Sequence, residues 1–197
     1  MAQKRLLSLD AFRGYTIAAM IMVNFPGSWS HVYPPLLHAQ WHGLTPTDLI
    51  FPFFLFIVGV SIVLAYSKRI EKGAKPRDLT GKILFRSFKI FMVGLLLNFI
   101  QHFQLSELRY AGVLQRIAIV FMVCSLLYLL FSWKVQLYIG AGILLAYWLI
   151  MNLVPTPDYA TAMLEPGANL AAWADSRFLP GTLYQETWDP EGILSTF

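Results

Sequence analysis

The stretch LIFPFFLFIVGVSIVLAYS, residues 49–67, runs for 19 residues without a charge. A helix needs about 20 such residues to cross ~30 Å of hydrocarbon. The run shows no period-two alternation, so a barrel strand is excluded and a membrane helix is the reading. A second uncharged run, VQLYIGAGILLAYWLIMNLV, covers residues 135–154. The whole chain follows the same pattern, with 57% hydrophobic and 13% charged residues over 197 positions. Its mean hydropathy is +0.57. A soluble domain carries about 25% charge. The chain therefore reads as an all-α, polytopic membrane bundle, not a soluble enzyme or a disordered tail.

Working outward, five complete spans are expected, over about 14–29, 49–67, 83–103, 111–133 and 135–151. Asp189-Pro190-Glu191-Gly192 looks like a helix start, and residues 193–197 like the first turn of a sixth span. The chain is thus expected to be the N-terminal part of a single membrane domain, 1–197, and a fragment. On that expectation, polar groups such as Arg116 lack partners and the isolated chain is inactive. No repeat or low-complexity segment stands out. The N-terminus is not expected to be a cleavable signal, because Asp10 and Arg13 interrupt the approach to the first apolar run. Cys124 is the single cysteine, so an internal disulfide is excluded.

A net charge of +4 and a pI near 9.2 invite a nucleic-acid reading. The location of the charges argues against it, since most lie in short clusters beside apolar spans. Lys4, Arg5, Arg13, Lys68, Arg69, Lys72, Lys75, Arg77, Lys82, Arg86, Lys89 and Lys134 fall on one side, and Arg109, Arg116 and Arg177 on the other. By the positive-inside rule, the N-terminus and the loop after residue 67 are cytoplasmic. The loops at about 30–47, 104–110 and 155–191 then face outward. The last of these is acidic and rich in Pro, Gly and Trp, which suggests an ordered excursion.

Polar residues in or beside spans are costly and therefore informative. Asn24, His31, His38, Gln40, Trp41, His42 and Asp48 crowd the end of the first span and the loop after it. Three readings stay open for the histidines. His38 and His42, four apart, have the spacing of metal ligands on a helix, although Gly43 and the nearby prolines oppose a helix. Alternatively they are bystanders among interfacial aromatics. The third reading is a catalytic site of His38 with Asn24 and Asp48. Asp48 suits helix capping and also the orientation of a histidine. Arg116, with Gln115 beside it and Arg109 seven residues earlier, is either an anchor or part of a polar pocket for an anionic group. Asp10 and Arg13 are spaced to pair with each other. Arg86 and Lys89 are either topological charges or a binding site for nucleotide phosphate.

At these residues the sequence resembles the heparan-alpha-glucosaminide N-acetyltransferase family of membrane acyltransferases and its bacterial homologues. The resemblance rests on Arg5-Leu6-Leu7-Ser8-Leu9-Asp10-Ala11-Phe12-Arg13-Gly14, then Met22-Val23-Asn24, then Leu37-His38-Ala39-Gln40-Trp41-His42-Gly43-Leu44-Thr45. It continues in Asp48-Leu49-Ile50-Phe51-Pro52-Phe53-Phe54-Leu55-Phe56, Gly112-Val113-Leu114-Gln115-Arg116 and Asp189-Pro190-Glu191-Gly192. Members of the family are longer chains. The resemblance implies transfer of acetyl from cytoplasmic acetyl-CoA to an amino sugar or related glycan on the outer side. It places the family's functional histidine on His38 and its essential asparagine on Asn24. The loop between them carries an extra Pro34-Pro35, which bears on the acceptor.

In this scheme His38 is the base, Asn24 the oxyanion donor and Asp48 the group that orients His38. Trp41, Arg109, Gln115 and Arg116 are expected at the substrate, and Arg86 and Lys89 at acetyl-CoA. No metal and no nucleic acid are expected. The partners are the acceptor and the lipid bilayer, with a homodimer left open. The location implied is a bacterial inner membrane. The alternative function is a sugar-related transporter, which polar residues near mid-membrane would support; here they crowd the outer end.

Overall fold

The computed structural model describes residues 6–104 and 108–196; the side chain of His102 is not described. Lys4, Arg5, Phe197 and the central part of the 104–110 loop lie outside the described residues. Six α-helices follow in order: α1 Leu7–Asn24, α2 Ile50–Glu71, α3 Pro76–His102, α4 Val113–Leu130, α5 Trp133–Leu153 and α6 Leu170–Phe178. Short 3-10 turns occupy Trp29–His31, Pro34–Leu36, Thr47–Leu49 and Leu194–Thr196. Among the described residues four helices, α2 to α5, are long and apolar enough to cross a membrane. The chain is a multi-pass membrane protein.

The first helix differs from its expected span. It begins at Leu7 rather than Gly14 and ends at Asn24 rather than Trp29. Asp10 and Arg13 do not delay it, because they form an i, i+3 ion pair at 3.2 Å. Asp10 also sits in the first turn, where a carboxylate suits the positive end of the dipole. At the other end, the Phe25 N–H still donates to the Ile21 carbonyl, but Pro26 has no N–H to offer. Gly27, at φ +79°, turns the chain away. With two charges and a terminal Asn inside it, α1 is not among the four apolar helices.

The chain forms two compact units, Met1–Ala65 and Tyr66–Phe197, with the boundary inside α2. In the first unit, Phe12 meets Phe53 edge-on at 5.5 Å between ring centroids. The Arg13 guanidinium also donates to the Ser61 hydroxyl at 3.4 Å. Thr16, Val23, Thr47, Ile57 and Ile62 are its buried residues of note.

In the second unit, α2 ends at a left-handed Gly73, φ +83°, with Ala74 N–H donating back to the Arg69 carbonyl. This is the glycine stop expected after a helix. Pro76 occupies the first turn of α3, where its missing N–H costs nothing. α3 and α4 pack antiparallel around Leu79, Ile83, Ala118 and Phe121. Gly94 permits the approach, since a Cβ there would stand 2.6 Å from the Gln115 side-chain oxygen. Outside this seam the surface is apolar. Phe85, Phe88, Leu96, Leu144, Leu145 and Trp148 are all exposed, as lipid-facing residues are.

Candidate active site

Three loop turns build the first candidate centre. In Thr45-Pro46-Thr47-Asp48, the Asp48 N–H donates to the Thr45 carbonyl and the Leu49 N–H to the Pro46 carbonyl. This single 3-10 turn leads into α2 and turns the Asp48 carboxylate back toward the preceding loop. Its Oδ2 accepts the Thr45 N–H at 2.8 Å and the Ala39 N–H at 3.3 Å, and lies 2.9 Å from the Thr45 hydroxyl. Its Oδ1 lies 2.7 Å from His38 Nδ1. The Thr47 hydroxyl donates to the Pro35 carbonyl and fastens the proline-containing turn to the same place.

This geometry assigns the proton. Donors surround Asp48, so it serves as an acceptor, and Nδ1 of His38 carries the hydrogen of their shared bond. In the neutral imidazole Nε2 then carries the lone pair. The His38 side chain is 70% exposed and Asp48 only 23%, so the imidazole is reachable from solution while its partner is fixed. The carboxylate both caps and orients.

His42 does not join it. Residues 37–46 form no helix, so the i, i+4 spacing of His38 and His42 does not place them on one face. His42 instead lies edge-on to the half-buried Trp41, with ring centroids 6.5 Å apart. Asn24 ends α1, and its amide donates to the Met20 carbonyl of its own helix at 2.9 Å. One N–H of that amide is therefore used within the helix, and His38 and Asp48 are the two residues held together by a hydrogen bond.

The second unit holds a different polar centre. Arg109 grips Asp189 with two parallel bonds, Nε to Oδ2 at 2.7 Å and a terminal nitrogen to Oδ1 at 2.5 Å. The same terminal nitrogen reaches Glu191 at 2.5 Å. The Tyr184 ring lies 5.0 Å from the guanidinium carbon. Burial opposes the Arg109 charge, but Asp189 and then Glu191 outweigh it and hold its pKa above the ordinary value. Burial pushes the Glu191 carboxyl up in spite of Arg109. Asp189 also accepts the Tyr184 and Glu191 N–H groups.

Arg116 donates to the Pro190 carbonyl at 3.2 Å and to that of Ser195. Arg116 therefore has partners, where none were expected. Nearby, the wholly buried Asp175 accepts the Ile193 N–H at 2.7 Å. Arg109 and Arg116, expected at a substrate, thus hold the 189–195 segment. That segment, expected to open a sixth helix, is a turn around Asp189 followed by a 3-10 turn.

The other site candidates take these places. Gln115 is buried between Gly94 and Gly112, with its carboxamide oxygen 2.6 and 2.8 Å from where their Cβ atoms would be. Arg86 is exposed and stacks over Phe121 at 5.0 Å; Lys89, also exposed, lies over Phe85 at 4.7 Å. Asp189 and Glu191 as partners of Arg109, and Asp175 as the acceptor of the Ile193 N–H, were not found from sequence. Arg109 and Asp189 are 80 residues apart, and nothing local marks them as a pair.

A bundle of apolar helices with a loop-borne His–Asp pair defines a membrane protein with a candidate acid–base centre. A family model described as heparan-alpha-glucosaminide N-acetyltransferase, catalytic, matches residues 5–173, and the chain belongs to this family. The chain is 32% identical to the human heparan-alpha-glucosaminide N-acetyltransferase, over 98% of this chain and 36% of that protein. It is 29% identical to the mouse protein of the same name, with the same coverage. It thus spans about a third of the length of these curated relatives. Asn24, His38, Asp48, Arg109 and Arg116 fall inside the matched region, and Asp175, Asp189 and Glu191 beyond it.

Proposed function

We propose that this chain supplies part of a membrane acetyltransferase that moves acetyl from cytoplasmic acetyl-CoA to an amino sugar or related glycan on the opposite side. The observation that carries the proposal is the 2.7 Å bond between His38 Nδ1 and Asp48, with the imidazole otherwise exposed. Acyl transfer to an amine needs a base for the departing proton, and this pair is built as one. Membership of the family supports the acetyl group as cargo.

In the step proposed, the acceptor nitrogen attacks the thioester carbonyl while His38 Nε2 takes its proton. The C–S bond then breaks and the CoA thiolate leaves, with a proton returned to it. Negative charge builds on the carbonyl oxygen in between. Asn24 has a second N–H beyond the one given to Met20, and that hydrogen is the proposed oxyanion donor. Trp41, beside His42 in the same loop, offers an apolar face for a sugar ring. Arg86 and Lys89, exposed near the middle of α3, are the proposed contacts of the CoA phosphates.

The lysine and arginine distribution supports the sidedness: twelve residues flank the cytoplasmic ends and three lie opposite. A bacterial inner membrane is the proposed location. The test is a transfer assay on the full-length protein in proteoliposomes, with labelled acetyl-CoA and a panel of amino sugars. An N-acetylated sugar is the expected product. Absence of transfer to every amine, with the protein folded and correctly inserted, contradicts the proposal.

A further inference from the structure

The segment that carries His38 is laced to the turn that carries Asp48 through main-chain groups at alternate positions. The Pro35 carbonyl accepts the Thr47 hydroxyl at 3.2 Å, and the Leu37 carbonyl accepts the Thr45 hydroxyl at 2.8 Å. The Ala39 N–H donates to Asp48 Oδ2 at 3.3 Å. Leu37 is extended, at φ −89° and ψ 150°. The backbone is thus tied on both sides of His38, while its imidazole stays exposed.

Thr45, half-buried, stands at the centre of this lacing. Its N–H donates to Asp48 Oδ2 at 2.8 Å, and its hydroxyl lies 2.9 Å from the same oxygen. A hydroxyl has one hydrogen to give. Here two acceptors compete for it, the Leu37 carbonyl and the Asp48 carboxylate. Rotation about the Cβ–Oγ1 bond shares the hydrogen between them. One side chain therefore couples the backbone next to His38 to the carboxylate that faces its Nδ1.

The consequence is electrostatic as well as geometric. The Thr45 and Ala39 contacts fall on Oδ2, which leaves Oδ1 to His38 Nδ1. Donors on a carboxylate favour its charged form. The proton shared with Asp48 therefore stays on Nδ1, and Nε2 keeps its lone pair. Without the Thr45 hydroxyl, the Leu37 carbonyl loses this partner and His38 is free to turn from Asp48. Both tautomers of the imidazole then become available.

We propose that Thr45 is a positioning residue for acyl transfer. Its hydroxyl fixes the His38 segment against Asp48 and so holds His38 in the tautomer with Nε2 open to the acceptor's proton. The effect on rate rests on the acetyltransferase reading; the effect on the tautomer does not.

The test uses the full-length protein in nanodiscs. Thr45→Val keeps the shape and removes the hydroxyl, Thr45→Ala removes it without bulk, and Thr45→Ser restores it. All three keep the N–H that reaches Asp48. The tautomer is read without turnover by ¹⁵N NMR of histidine-labelled protein at about pH 9, where imidazole is neutral. The His38 signals are assigned by their loss in His38→Ala. The wild type is expected to show a protonated Nδ1 and a bare Nε2. Thr45→Val and Thr45→Ala move both nitrogens toward the averaged position, and Thr45→Ser keeps the wild-type pattern. In the transfer assay, Thr45→Val and Thr45→Ala lower kcat about tenfold or more with both KM values within about twofold, and Thr45→Ser recovers most of the rate. A folded Thr45→Val or Thr45→Ala with the wild-type ¹⁵N pattern overturns the proposal. The two readings fail separately. A Thr45-dependent tautomer without any acetyl transfer by the wild type sinks the enzyme and keeps the positioning role. Transfer by the wild type, with the tautomer unchanged in both variants, sinks the positioning role and keeps the enzyme.

Discussion

His38 and Asp48 are ten residues apart and were legible as candidates, because polar side chains beside an apolar span need a reason. Their bond depends on how the Thr45-Pro46 turn swings the carboxylate back, which no spacing rule contains. Asp175 and Gly192 illustrate the opposite case. Asp175 is 1% exposed, and a Cβ on Gly192 would stand 1.9 Å from its carboxylate oxygen. Nothing in either local sequence announces this contact, since it joins segments 17 positions apart that neither helix nor hairpin periodicity relates. Gly192→Ala must therefore push Asp175 off the Ile193 N–H. Overpacking of this kind costs about 1–3 kcal/mol. A lowered midpoint in thermal unfolding of the purified protein is expected, and an unchanged midpoint refutes the close contact.

Among the elements, α2 to α5 were legible because each is long and apolar. Their edges moved by several residues where charged turns extend the helices, as Pro76 does for α3. The first helix was misplaced because hydropathy counts Asp10 and Arg13 against it, whereas the two neutralise each other. The excursion after α5 was expected to be ordered, and α6 and its clasp give it that order. Burial raises the Asp175 carboxyl above its ordinary value of 3.8, with the Asp189 charge adding to this and the Ile193 N–H opposing it. Between 3.8 and the raised value, the folded state holds more protons than the unfolded one. The Asp175 contribution to stability thus grows as pH falls through that window and is lost as pH rises beyond it. Hydrogen exchange of residues 170–196, corrected for intrinsic rate, should show more protection gained on acidification from neutral pH to 3.8 in the wild type than in Asp175→Asn. Equal gains contradict the burial argument.

At the scale of the molecule, the lysines and arginines flanking the apolar helices support the sidedness that the proposed chemistry requires. An acceptor that meets His38 outside and acetyl-CoA that arrives from the cytoplasm need opposite faces. Ser30→Cys is expected to react with an impermeant maleimide from outside in intact cells, and Gly73→Cys only after permeabilisation. External labelling at Gly73 reverses the orientation and removes the proposed route for acetyl. The central claim, that His38 oriented by Asp48 is the base for acyl transfer, has one direct test. His38→Ala and His42→Ala of the full-length protein are assayed side by side at saturating acetyl-CoA. With insertion intact, His38→Ala is expected to lose about 10²–10⁴ in rate while His42→Ala stays near wild type; an active His38→Ala contradicts the account.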